Sequence, residues 1–416
     1  MKLFRRKLIS LLLCGALALS TFGLMGSAAE PEQTVSMTPA QYAQKFINEV
    51  RPNGGFVTGD TIAIYNEDDL LSGFNVELMK DNGPSGYVVI KFTEEQKPVI
   101  SEFAVEPGTT NLYDTIADKK ISETATTRSA LSVEKPANKK LYSLGAYEYC
   151  AVLEQGDEEI YTDLSGETAD AATFEQDKTA VKAAKDAPVA DGEEPPVKLG
   201  PAPDPLPTPA TRSGNPDSGY DMITDACYLF DNSSAELAEE FTISCAYSDY
   251  LVQGPIVSSG RRYACAVTAM TNVMLNFKYR GYNVANTSNM LATYDEIWNI
   301  AQPDSNGGVS HSANAGIIRQ YLSNKGKTGV VNMYANASWS DYTRDVYNDM
   351  PTVFAYEAIF DGTRMGHSVF VVGYAEGIAS NVGFLEVIDG WHTNVRFLNY
   401  FSSDCLSRRG YSVAIR

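Results

Sequence analysis

Two helix-then-strand patterns, one on each side of a proline-rich stretch, predict an α+β chain of two folded units. The first pattern opens at Thr38-Pro39-Ala40-Gln41 and the second at Cys265. Between them, nine prolines fall between Pro188 and Pro216. At 416 residues the chain is long enough for two or three domains.

The first unit begins with a helix. Thr38 is its cap, Pro39 its first-turn residue and Gln41 the third-position partner of a capping box. Tyr42, Ala43, Phe46, Ile47 and Val50 recur at helical spacing, and Pro52, Gly54 and Gly55 end the pattern. Strands are expected at 61–65, 73–79, 86–92 and 98–103, where strand-forming residues alternate with polar turns. A further hairpin is expected from 141–153 and 160–164, turning at Gln155-Gly156-Asp157-Glu158. This unit holds no His and only Cys150, so no catalytic set lies within it.

The composition sets the remaining boundaries. Lys2, Arg5, Arg6 and Lys7 precede an apolar run over 8–19, and Ser27, Ala28 and Ala29 supply small residues before Glu30. That is the pattern of a secretory signal over 1–29, which predicts a secreted, extracellular protein. The first folded unit then spans 30–168, an acidic and Pro-rich linker 169–216, and the second unit 217–416. The Pro-rich part of the linker can form neither a helix nor a central strand, and as an exposed tether it is a candidate processing site.

A formal net charge of -19 argues against nucleic acid or anionic lipid as a partner. No later apolar run reaches about 18 residues, so membrane insertion is not expected. Five cysteines follow the signal, Cys150, Cys227, Cys245, Cys265 and Cys405, and the odd number implies at least one free thiol. No metal cluster, phosphate loop or cofactor motif stands out, so no metal or cofactor is expected.

The second unit places helices first, over 265–277, 287–300 and 313–323. Strands follow over 330–334, 352–356, 367–374, 384–388 and 395–400. Cys265 stands at the start of the first helix, where backbone amides favour a thiolate and can help hold an oxyanion. Arg261 and Arg262 precede it and can add positive potential. Only His311, His367 and His392 could act as a base near neutral pH. His311 lies in a Ser/Asn/Gly-rich loop that reads as surface, and His392 in a turn. His367 opens an alternating strand, and Asp389 ends the next one. A nucleophile, a base and a group that orients the base are the parts of a thiol acyl-transfer site. Trp391 is placed to shield the His367–Asp389 bond from water.

These segments resemble the papain-superfold cysteine peptidases of bacteria, in particular the streptopain-like and double-glycine-peptidase-like branches. The resemblance covers most of 245–405. It rests on Cys265-Ala266-Val267-Thr268-Ala269, on Pro351-Thr352-Val353-Phe354, on Gly366-His367-Ser368-Val369 through Gly373-Tyr374, and on Asp389-Gly390-Trp391. It implies that Cys265 attacks a peptide carbonyl, that His367 transfers the proton and that Asp389 orients His367. It also implies an oxyanion-hole Gln close before the cysteine, and here the nearest is Gln253, twelve positions upstream. Gly86-Tyr87-Val88-Val89-Ile90 with Pro98-Val99-Ile100 resembles the propeptide of the streptopain-like enzymes, a small α+β domain that covers the active site until it is cleaved.

The expectation is therefore a monomeric secreted cysteine endopeptidase, made as a zymogen and acting on a protein or peptide substrate. Its papain-like α+β domain follows a small α+β prodomain that serves as an intramolecular partner. Two other readings stay open on the residues: a thiol amidase or transpeptidase acting on cell-wall peptides, and an inactive secreted binding module of the same fold.

Overall fold

Helix α1 (Pro39–Val50) starts where its capping box predicts. The Thr38 side chain accepts from the Gln41 N–H at 3.2 Å, and the Gln41 side chain accepts from the Thr38 N–H at 2.9 Å. In this computed structural model the described residues are 38–92, 98–127, 132–186, 239–243, 250–251, 265–303, 308–360, 363–376, 383–402 and 404–416. The signal segment, the Pro-rich stretch, Cys227, Cys245, Gln253, Arg261 and Arg262 lie outside them.

The strands β1 (Val57–Tyr65), β2 (Leu71–Lys80), β3 (Gly83–Phe92) and β4 (Pro98–Val105) form an antiparallel meander. Its two faces follow the period-2 rule. Val88 and Ile90 join Phe74, Val76, Leu78 and the apolar side of α1, whereas Tyr87 and Val89 face the other way. Helix α2 (Leu112–Thr127) covers that second face with Leu112, Tyr113, Ile116 and Ala117. Asn111 accepts from the Asp114 N–H at 2.9 Å, a capping contact that the strand-centred reading of this region did not include. At Gly86 the backbone has φ 139°, and a Cβ there would lie 2.0 Å from the Ala104 carbonyl oxygen, so β3 and β4 can approach only at a glycine.

After β5 (Val133–Glu134), the run 141–153 departs from the single strand its composition suggests. It breaks into the hairpin β6 (Lys140–Gly145) and β7 (Glu148–Gln155), with Ala146 and Tyr147 at the turn. The strands β8 (Glu158–Asp163) and β9 (Thr168–Asp170) extend the sheet, and β6 pairs in parallel with β1. The first part of the expected linker is helix α3 (Ala171–Asp186). Phe174, Lys178 and Val181 fall on one helix face, and Phe174 stacks on Tyr161 at 3.9 Å. Buried Lys178 pairs with Asp69 and Glu175. A Lys/Ala/Asp-rich composition describes a linker and a half-buried helix equally well, and here the spaced apolar positions decide.

In the C-terminal region β10 (Glu239–Thr242) precedes the helices α4 (Cys265–Tyr279), α5 (Met290–Ala301) and α6 (Asn314–Asn324). Helix α4 is apolar nearly all round and is buried from Ala266 to Phe277, as such a helix must be. The strand β11 (Gly329–Tyr334), helix α7 (Trp339–Tyr347) and strands β12 (Thr352–Phe360), β13 (Thr363–Glu376), β14 (Gly383–Ile388), β15 (Arg396–Asn399) and β16 (Ser407–Ile415) complete it. His367 lies inside β13 rather than opening it, because β12 and β13 pair as far back as Phe360 and Thr363.

The architecture is mixed α+β, but the two regions are not separate bodies. Among the described residues one sheet runs β11-β16-β12-β13-β14-β15-β4-β3-β2-β1-β6-β7-β8-β9. The seam is β15 against β4, with Phe397 opposite Phe103 and Leu398 opposite Glu102. Phe103 stacks on Phe397 at 4.4 Å and meets Phe384 edge-on at 5.3 Å, inside a core shared with Phe46. The described residues form one compact unit. Pairing two otherwise open strand edges is the physical reason, since unpaired edges are costly to leave exposed.

Candidate active site

Cys265 is the first residue of α4, and its half-buried side chain points at strand β13. Sγ lies 3.8 Å from the Gly366 carbonyl oxygen, to which the thiol donates. The N–H groups of Ser368, Ala266 and Cys265 itself are also directed at the sulfur. The helix start thus supplies amides to the sulfur, as its position predicts. The sulfur is flanked by the main chain on both sides of His367.

His367 is buried. Its Nε2 lies 3.2 Å from the Asp389 carbonyl oxygen. A carbonyl only accepts, so Nε2 carries the hydrogen and Nδ1 keeps the lone pair a general base needs. Trp391 stacks on the imidazole at 3.9 Å with 12° between the planes, and Tyr356, its register partner on β12, meets it edge-on at 5.6 Å.

Asp389 reaches His367 through its main chain. Its carboxylate turns to other partners. Oδ1 accepts from the Trp391 and His392 N–H groups, both at 2.9 Å, and Oδ2 faces His392 Nδ1 at 2.7 Å and the Arg396 guanidinium. Arg396 in turn is bonded to Glu102 of β4, and Glu102, Arg396 and Asp389 are all buried. The Asp389 carboxylate therefore fixes the loop that presents the carbonyl, and it is tied through one guanidinium to the N-terminal region.

Protonation follows from these surroundings. Burial pushes His367 down to about 4, against the opposing pull of Asp389. Burial pushes the Cys265 thiol up, outweighing the nearby N–H groups, and the Glu148 carboxylate acts in the same direction. Burial would raise Asp389, but His392 and Arg396 outweigh it and hold its carboxyl well below the usual range. Both shifts favour the uncharged forms of the thiol and the imidazole.

The N-terminal region supplies more than Glu102. Ala146 and Tyr147, at the β6–β7 turn, are buried in the same core as α4, and the Tyr147 ring meets Tyr356 edge-on at 5.8 Å. Trp391 packs partly against the N-terminal core.

Of the residues the sequence singled out, His367, Asp389 and Trp391 are in direct contact, Cys265 meets the main chain beside His367, and Gln253 lies outside the described residues. His311 is half-buried with its ring 6.3 Å from Tyr411, rather than freely exposed. Sequence reasoning placed His392 in a turn without giving it a partner, and it missed Arg396, Glu102, Tyr356 and Tyr147. Only His392 left a local signal, standing three residues after Asp389; the others depend on strand pairing. Among the described residues no three His, Cys, Asp or Glu side chains gather as metal ligands would.

Residues 247–391, about a third of the chain, match the Peptidase_C39 like family. The match spans Cys265, His367, Asp389 and Trp391 and supports a cysteine peptidase of the papain-like type. No curated protein matches the chain.

Proposed function

We propose that the chain is a secreted cysteine endopeptidase made as a zymogen, with Cys265 as nucleophile, His367 as base and Asp389 as the residue that orients it. The observation that carries this reading is the Cys265 thiol at a helix start, set against the main chain on both sides of a buried His367. His367 Nδ1 takes the thiol proton, and the thiolate attacks the peptide carbonyl. When the tetrahedral adduct collapses, His367 returns the proton to the leaving amine, and water then releases the acyl group from sulfur. Gln253 is the proposed oxyanion donor. Residues 38–186 act as the cover. Their Glu102 holds Arg396, their Tyr147 turn sits beside Tyr356, and the resting thiol and imidazole are both uncharged, as suits a latent site.

The test uses the full chain before and after limited proteolysis. Cutting should begin within the Pro-rich stretch and raise both casein cleavage and labelling of Cys265 by a thiol-directed probe. Cys265→Ala should abolish both while leaving the circular dichroism unchanged. Turnover that survives Cys265→Ala would refute the assignment. Cleavage of cell-wall peptides without cleavage of casein would move the reading to a wall amidase.

A further inference from the structure

The β6–β7 turn inserts a side chain of the N-terminal region into the core around the proposed catalytic base. Tyr147 is fully buried, although a hairpin tip is ordinarily the most exposed part of a sheet. Its backbone has φ 60°, the left-handed region that a bulky aromatic residue rarely adopts and that a turn normally gives to Gly or Asn. Gly145 is two residues away. A strained residue of this type persists where its side chain is held by something more favourable.

What holds it is a pocket on the C-terminal region. Tyr356 forms one wall, 5.8 Å away and edge-on, and the same Tyr356 ring borders His367. At the far end the Tyr147 hydroxyl donates to the Asn399 carbonyl oxygen and also reaches the buried, free Cys405 thiol. The next residue, Glu148, lies near enough to Cys265 for its carboxylate to act on the thiol. The turn therefore packs against the aromatic ring that borders His367, with one side chain lodged in a slot that has an aromatic wall and a polar floor.

We propose that this slot is a substrate subsite for an aromatic side chain, tyrosine above all, which Tyr147 fills while the N-terminal region is in place. The inference rests on the peptidase reading and adds the side-chain class that the enzyme selects. A side chain lodged one ring away from the proposed base marks where a substrate side chain is received. The floor acceptor favours a phenol over a plain phenyl ring, because an unpaired buried carbonyl penalises the ligand that lacks the hydroxyl.

The experiment uses the full chain cut within its Pro-rich stretch and fluorogenic peptides that differ only in carrying Tyr, Phe, Ala or Lys at each position flanking the scissile bond. At one position kcat/KM should favour Tyr and Phe over Ala by about 10-fold or more, with Tyr ahead of Phe. Tyr356→Leu should shrink that ratio. Should that variant not fold, the chain without substitutions, cut in the same way, can be challenged with a synthetic peptide of residues 143–150, which should compete with substrate, whereas its Tyr147→Ala version should not. A chain that cleaves peptides with no aromatic preference overturns the subsite and leaves the peptidase reading standing. A chain that cleaves none of the peptides and whose Cys265 does not label overturns the peptidase reading, and the subsite with it.

Discussion

Replacing Glu102 by Ala strikes the seam between the two regions at its least replaceable point. Glu102 and Arg396 are essentially inaccessible to water, with side-chain exposures of 0% and 1%. Removing one member of a buried ion pair leaves a charge that the interior solvates poorly, at a cost of about 3–5 kcal/mol. Arg396 keeps its bond to Asp389, so the lower end, about 3 kcal/mol, is expected. The control is Asp68→Ala. Its pair with Lys182 is 41% and 56% exposed and should contribute less than about 1 kcal/mol. Urea unfolding followed by tryptophan fluorescence is a discriminating assay, because Trp298, Trp339 and Trp391 all lie in the C-terminal region, whereas Glu102 does not. One shared sheet and one shared aromatic core predict a single transition, coincident by fluorescence and circular dichroism. Glu102→Ala should move that whole transition. The double variant Glu102→Ala/Arg396→Met should lose less than the sum of the two single variants, because both single changes remove the same bond, giving a coupling above about 1 kcal/mol. Two separate transitions, or a loss of under about 1 kcal/mol for Glu102→Ala, would refute the claim that the seam is structural.

Other consequences can be checked independently. Gly86→Ala should destabilise the chain by roughly 2 kcal/mol or more, read from the urea midpoint, because the added methyl meets the Ala104 carbonyl at a φ that disfavours any side chain. His367 should make stability pH-dependent. Its pKa of about 4 in the folded chain lies below the ordinary value of 6.5, so the unfolded chain binds the extra proton between those limits. The associated stability is present above pH 6.5 and is lost as pH falls toward 4. It amounts to about 3 kcal/mol, and His367→Gln should flatten that part of the curve. Trp391→Ala should lower kcat by roughly 10-fold or more through loss of the ring that fixes the imidazole plane, with KM less affected.

Much of this protein is written locally. The capping box at Thr38, the amphipathic α1, the alternation along 86–92 and the apolar run after Cys265 depend on neighbours within a few residues, and each element forms where its pattern places it. Cys265, His367, Asp389 and Trp391 could be named as candidates because a helix start and the two strands β13 and β14, which pair antiparallel, are places where a nucleophile, a base and its orienter can be set. The tertiary structure alone decided which group of Asp389 meets His367, since that depends on Arg396 and His392 drawing the carboxylate away. It also decided that 141–153 folds back at Tyr147, because the strain there is offset by a slot built more than 200 residues later in the chain. The seam of β4 with β15 has the same character. Phe103 opposite Phe397 and Glu102 against Arg396 join residues nearly 300 positions apart, and no periodicity in either segment names the other. Local sequence determines helices, strands and caps through short-range sterics and hydrogen bonding. Which strand edges meet, and which buried charges pair, is settled only when the whole apolar surface is buried at once.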